Sequence, residues 1–226
     1  MARRPFGSIL RMVLPLFGAT YYFFVRPQML RAGTRPGEAD RELPGDDLIA
    51  SPNFQVTRGI DIDAPPDAVW PWIEQIGRDG TGFYGDDWIT NRGIPSAAYL
   101  RQDLPMLQAG SALDSGARVL KVEPNRLLLV GGFDLPSPLG LTTERTTLFL
   151  LEPRNQRPMN GTRLLIRTRG YTYGMFGPLY NLIAEVADYL NGMAQLDNIR
   201  RRAETLNQLQ KPVASNKSTT SSKSPA

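Results

Sequence analysis

"FQVTRGIDIDAPPDAVWPWIEQIG", residues 54–77, runs through two secondary-structure periods in succession and so decides the fold class. In its first half Val56, Ile60 and Ile62 alternate with Thr57, Asp61 and Asp63, the period of two that sets one side of a strand against a core. The run Ala64, Pro65, Pro66 then presets φ at a helix start, and Asp67 lies in the first turn, where negative charge complements the helix dipole. Val69, Trp72, Ile73 and Ile76 recur at helical spacing, Pro71 falls early enough to be tolerated, and Gly77 supplies a left-handed stop. The reading is a strand followed at once by a helix.

Downstream the strand pattern returns. "GARVLKVEPNRLLLVGGF", residues 116–133, has two apolar runs joined by a hairpin signal at Glu123, Pro124 and Asn125. "TTERTTLFLLEP" (142–153) and "TRLLIRTRGYTYG" (162–174) are joined by the turn-rich "RNQRPMNG" (154–161), which predicts four consecutive antiparallel strands. From about Phe176 to Leu209, Leu179, Leu182, Ile183, Val186, Leu190 and Met193 form one stripe of a long helix, with arginines near its C-terminus. The expected plan is α+β: an antiparallel sheet that buries one face against this helix, with that stripe as the core and part of it lining any cavity left between them.

Upstream, an apolar run from Phe6 to Val25 is close to the length that spans a bilayer, with arginines on both sides. Arg11 and Pro15 interrupt it, while Tyr21, Tyr22, Phe23 and Phe24 beside Arg26 fit an interfacial belt. Residues 1–26 are therefore expected to be a single-pass N-terminal membrane anchor. A cleaved signal peptide lacks a clear small-x-small site here, and a surface-lying amphipathic helix is the third option. Arg26, Arg31, Arg35 and Arg41 after the run, against Arg3 and Arg4 before it, tilt the orientation slightly toward a cytoplasmic domain. Residues 27–53 read as a Pro/Gly-rich linker, 54–209 as the folded domain, and 210–226 as a Ser/Thr/Lys-rich disordered tail.

The chain of 226 residues contains no cysteine and no histidine. Thiol nucleophiles, Cys/His zinc sites, imidazole bases and the Ser-His-Asp arrangement are excluded together. No cofactor or metal is expected, and a net charge of +4 is a poor basis for nucleic-acid binding.

"GRDGTGFYGDDWITNRGIP", residues 77–95, is the chain's least periodic stretch. Asp86 can cap a short helix that Gly93 ends, and neighbouring aspartates point apart, so the pair does not make a facing carboxylate dyad. A metal loop would need a spaced ligand series that is absent. Asp87 and Arg92 are candidates for polar contacts at a pocket mouth. Phe83, Tyr84 and Trp88 either shield an apolar ligand or pack a loop crossing, and the surrounding glycines would give a lid its hinge freedom. In the strand from Thr162, Arg163, Leu165, Arg167, Arg169 and Tyr171 share one face, and Leu164, Ile166 and Thr168 the other. The arginines face water, or Arg167 or Arg169 turns toward a ligand carboxylate or phosphate with Glu144 and Arg145 nearby. Tyr171 and Tyr173 present hydroxyls to a pocket or pack its rim.

"TRGIDIDAPPDAVWPWIEQIG" followed by "GFYGDDWITN" (82–91) resembles the START-like, helix-grip superfamily, also labelled SRPBCC or polyketide cyclase/dehydrase-like. The leader "RPQMLRAGTRPGEADRELPGDDLIASP" (26–52) is similar to that of a membrane-tethered bacterial subgroup with no assigned role, and the likeness runs from about Arg26 to Leu209. The sequence departs from the subgroup at "RAGT" (31–34), where a tryptophan is common, and at "GDD" (85–87), in place of a more aromatic step. The resemblance implies the order β-α-α-β-β-β-β-β-α, a curved sheet gripping the last helix, and a hydrophobic pocket between them. It implies an apolar small molecule or lipid as partner. The expected ligand-binding set is then Trp72, Phe83, Tyr84, Asp87, Trp88 and Arg92, with Arg145, Arg167, Tyr171, Ile183 and Val186. Two other functions stay open: a cyclase or dehydratase using Asp86, Asp87, Glu144 or Tyr171 as acid or base, and an adaptor without a ligand.

Overall fold

The structure is a computed structural model that describes residue 16 and residues 18–136, 141–154 and 161–210. A π turn, Tyr21–Val25, leads into α1 (Arg26–Leu30), and a single 3-10 turn follows at Asp46–Ile49. Then come β1 (Phe54–Ile62), α2 (Pro66–Glu74), the short α3 (Asp87–Thr90), four strands β2 (Arg118–Glu123), β3 (Leu127–Pro136), β4 (Thr142–Arg154) and β5 (Gly161–Thr172), and the long α4 (Gly177–Gln210). The fold is α+β, with one five-stranded antiparallel sheet in the order β1-β5-β4-β3-β2. Four described strands follow the helices, as the residue pattern predicts, and not the five that the family resemblance implies. Residues 91–117 contribute one isolated bridge, Ala112 to Arg118. With two prolines and three glycines breaking its apolar residues, this stretch offers no alternation to pair.

Register places the core. Arg58, Ile166, Phe149 and Leu128 stand in one row across the sheet, and Val56, Thr168, Thr147 and Val130 in the next. This face meets α2 and the C-terminal half of α4, where Val69, Trp72, Ile73, Leu196, Ile199 and Ala203 are buried. Each fully buried aliphatic or aromatic side chain contributes about 1.5–3 kcal/mol, so this side holds most of the hydrophobic stabilisation.

The opposite face is also covered. Leu127, Leu129, Leu148, Leu150 and Leu165 form a second apolar cluster, closed by Leu43 from the segment upstream of β1. Residues 31–50 thus lie across the sheet as a strap, fixed at Gly33, where the chain at φ +70 runs so close to Gly59 that a Cβ would meet its carbonyl oxygen at 2.2 Å. The expectation that Arg163, Arg167 and Arg169 face water or a ligand is corrected here, because all three bind this strap. Arg167 donates to Thr57 Oγ1, the carbonyls of Glu38, Ala39 and Arg41, and Asp46 Oδ2. Arg163 pairs with Glu38 at 2.6 Å, and Arg169 donates to Gln55 Oε1 and the Ile49 carbonyl.

The outward stripe of α4 is a second correction. Leu179, Ile183, Val186 and Leu190 are exposed, Ile183 by 64%, while Asn181, Glu185 and Gly192 are buried toward the sheet. Ion pairs set this rotation: Glu185, 2% exposed, is held by Arg26 at 2.6 Å, and Asp188 by Arg58 and Arg145. Turning the apolar stripe inward would pull two partnered carboxylates, Glu185 from α1 and Asp188 from the sheet, away from their three arginines, which costs more than the burial of four side chains at a helix edge returns.

The expected single-pass anchor, with its lean to a cytoplasmic domain, is a third correction. Among the described residues no helix is long and apolar enough to cross a membrane. The described end of that run is instead tied to the domain through Arg26 and Glu185. Residues 1–15 and 17, and the expected tail beyond Gln210, lie outside the described residues.

Candidate functional site

Between the inner face of the sheet and the N-terminal half of α4 lies a cavity of about 500 Å³. Its apolar wall is built by alternation: Leu128 and Val130 of β3, Phe149 of β4 and Ile166 of β5 all point to this side. Ile76, Phe83, Leu113 and Ala117 close it from the loops after α2. The polar lining comprises Thr143, the Thr147 and Thr168 hydroxyls 3.2 Å apart, Asn191, Gln195, Arg58, Arg145 and Asp188. Asn191 is fixed by accepting from the Asp86 amide at 2.9 Å, and Gln195 by donating to the Phe83 carbonyl at 2.7 Å. The loop at 83–86 is thereby stitched to α4 beside the cavity.

Arg58 is the unusual member. It is 4% exposed, lines the cavity, and sits where Gly192 leaves room: a Cβ on Gly192 would stand 2.6 Å from its Nη1. A glycine inside a helix costs about 1 kcal/mol against alanine, so the position is kept open at some expense. Nη1 donates to Asp188 Oδ2 at 2.7 Å, and the guanidinium lies 5.9 Å from the Tyr189 ring centroid. Nε and Nη2, which share the other edge of the fork, have no hydrogen-bond partner among the described residues. An unmet buried donor costs about 1–3 kcal/mol. Arg167, by contrast, meets five acceptors with its three nitrogens, while Arg154 at the end of β4 shares with Arg58 a buried Nε that has no partner among the described residues. Arg145 shares Asp188, 3.1 Å away, and stacks over Phe54 at 5.4 Å.

Of the residues expected to bind a ligand, Phe83 and Arg145 line the cavity. Trp72 and Tyr84 are core residues next to it, packed edge to face at 6.1 Å. Burial pushes the Tyr84 hydroxyl up, opposed by the Gln75 hydrogen bond it accepts and by the charge of Arg202 above its ring. Asp87 accepts from the amide and hydroxyl of Ser96, Trp88 is 84% exposed, and Arg92 holds a turn at φ 55. None of these three lines the cavity, although their neighbour Thr90 does. Arg167 lies on the far side of the sheet, Tyr171 stacks on Tyr173 at the sheet end, and Ile183 and Val186 face outward. Asp86 accepts from the Trp88 and Ile89 amides as a helix cap, and Glu144 accepts from the Tyr173 hydroxyl at 2.7 Å. The four groups that an acid-base mechanism would draw on, Asp86, Asp87, Glu144 and Tyr171, are all absent from the cavity lining. Among the described residues no acidic side chains gather into a metal-binding group.

Arg58, Asp188, Gly192 and the threonine pair are the site residues that sequence reasoning missed. Arg58 did carry a signal: it is the one charge on the alternating face of Val56, Ile60 and Ile62.

No protein-family model matches the chain, and no curated protein matches it. Among solved structures it is similar to a hypothetical protein from Helicobacter pylori, 11% identical over 75% of this chain and 99% of that one, with a TM-score of 0.47. A protein from Mesorhizobium loti is 17% identical over 70% and 100%, with a TM-score of 0.40. A protein of the dynemicin biosynthetic locus is 18% identical over 65% and 47%, with a TM-score of 0.38. These are distant likenesses of shape, and the functional reading below is built on the cavity.

Proposed function

We propose that the chain is a helix-grip type module that holds an apolar small molecule or lipid in the cavity between its sheet and α4. The observation that carries this reading is the cavity itself: about 500 Å³, walled by Leu128, Val130, Phe149 and Ile166, with a few polar groups among its lining, Thr147, Thr168, Arg58 and Arg145. That volume lies within the range of small-molecule pockets, and an apolar chamber with a few placed polar groups is how such ligands are oriented. A cyclase or dehydratase is the second reading, and it is weaker because it would need an acid or base in the chamber. Asp188 is the carboxylate there, and both its oxygens are taken by arginines.

Native mass spectrometry after mild purification is the test. The expected outcome is a mass excess of one small molecule that organic extraction removes. An unliganded mass, together with failure of a neutral apolar fluorophore to bind, would overturn the proposal.

A further inference from the structure

The outward stripe of α4 is built as one half of an interface. We infer that the first half of α4 pairs with α4 of a second copy of this chain, across a two-fold axis, along the seam Phe176, Leu179, Ile183, Val186 and Leu190. This concerns a different surface from the cavity and does not depend on what the cavity holds.

Three observations carry it. The first is spacing. Phe176, whose carbonyl accepts a helical bond from the Tyr180 amide, begins a series that advances by three, four, three and four residues. That repeat of 3.5 is the one with which two helices interlock side chains along a common seam. The second is area. All five residues are 40–64% exposed, and each leaves on the order of 100 Å² of apolar surface in water. A patch of about 500 Å² stands at the upper end of what a monomer shows. Two such patches face to face remove about 1,000 Å², the size from which a specific protein interface holds.

The third observation is charge. From Phe176 to Met193 the charged residues are Glu185 and Asp188, both held by arginines on the side away from the stripe. A face without charge is complementary to itself, as a two-fold interface requires. A helix that lies on a lipid surface instead flanks its apolar side with lysine and arginine, and α4 has neither between Phe176 and Ile199. The same ion pairs fix the rotation of α4, so the stripe is held outward before a partner arrives and pairing needs no rearrangement. The cavity lies under this half of α4, so the dimer sets two cavities back to back.

Sedimentation equilibrium of the full chain from about 0.1 to 100 μM is the test, and wild type is expected to pass from one chain to two within that range. Ile183 is the middle residue of the seam and meets its own copy whichever way the helices run. Ile183→Glu therefore sets two carboxylates together and is expected to raise the dissociation constant about tenfold or more. Because the chain has no cysteine, Ile183→Cys reports the contact directly. Its disulfide-linked dimer should form about tenfold or more faster than that of Leu209→Cys, which is also exposed but lies beyond the seam. Should Ile183→Glu not fold, the wild-type masses and the two cysteine variants decide. A wild type that stays monomeric throughout, or an association that Ile183→Glu leaves unchanged, overturns the inference. So does a monomer that binds phosphatidylglycerol vesicles through Ile183, which would assign the stripe to a lipid surface.

Discussion

Asp188 holds two arginines with one carboxylate, and the site is poised on that sharing. Replacing it with asparagine leaves Arg58 buried without a counter-charge. Asp188→Asn is expected to lower stability by about 1–3 kcal/mol in urea unfolding of the free protein. At this scale the sequence tells only half. Alternation along β1 puts Arg58 on the inner face beside Val56 and Ile60, but its partner lies 130 residues away and the empty edge of its fork is visible only in three dimensions. Arg167 failed in the opposite sense: its face was legible, but what lay over that face was not.

At the scale of the element, α4 shows where period and environment part. Its 34 residues were predicted from apolar spacing, yet that spacing marks the outward side of its first half. The buried side reads Asn181, Glu185, Gly192, Leu196, Ile199 and Ala203, polar or small where the chamber lies and apolar where the core closes. Leu196→Ala is expected to cost about 2–5 kcal/mol as a fully buried cavity-forming change, whereas Ile183→Ser, in protein dilute enough to be single chains, should stay within about 0.5 kcal/mol. Urea midpoints of the two variants check both, and a large loss from Ile183→Ser there would mean that the stripe is covered within one chain. β1, α2 and the antiparallel run β2 to β5 were legible because period and burial agree there, while the pairing of β1 with β5 was not. The α4 rotation was not, because ion pairs with α1, β1 and β4 outweigh hydrophobic spacing.

For the whole molecule, the strap makes the sheet two-sided. Burial tends to raise the Glu38 carboxyl, but the Arg163 hydrogen bond, the Arg35 amide and the nearby positive charges hold it below its ordinary value of 4.5. A carboxylate lowered on folding stabilises fully above its unfolded value and loses that effect as pH falls through the folded one. Glu38→Gln is therefore expected to be about 1–3 kcal/mol less stable than wild type at neutral pH, and the gap should close well below pH 4.5, as followed by urea unfolding across the range. A gap independent of pH would separate the strap from this carboxylate.

That strap also changes where the folding unit begins. A gene trimmed at Phe54, the border that periodicity recommends, would bare a plate of five leucines and take Glu38 from Arg163 and Asp46 from Arg167. The stretch upstream is the second wall of the building, and leaving it out would manufacture an adhesive surface that the intact protein never shows.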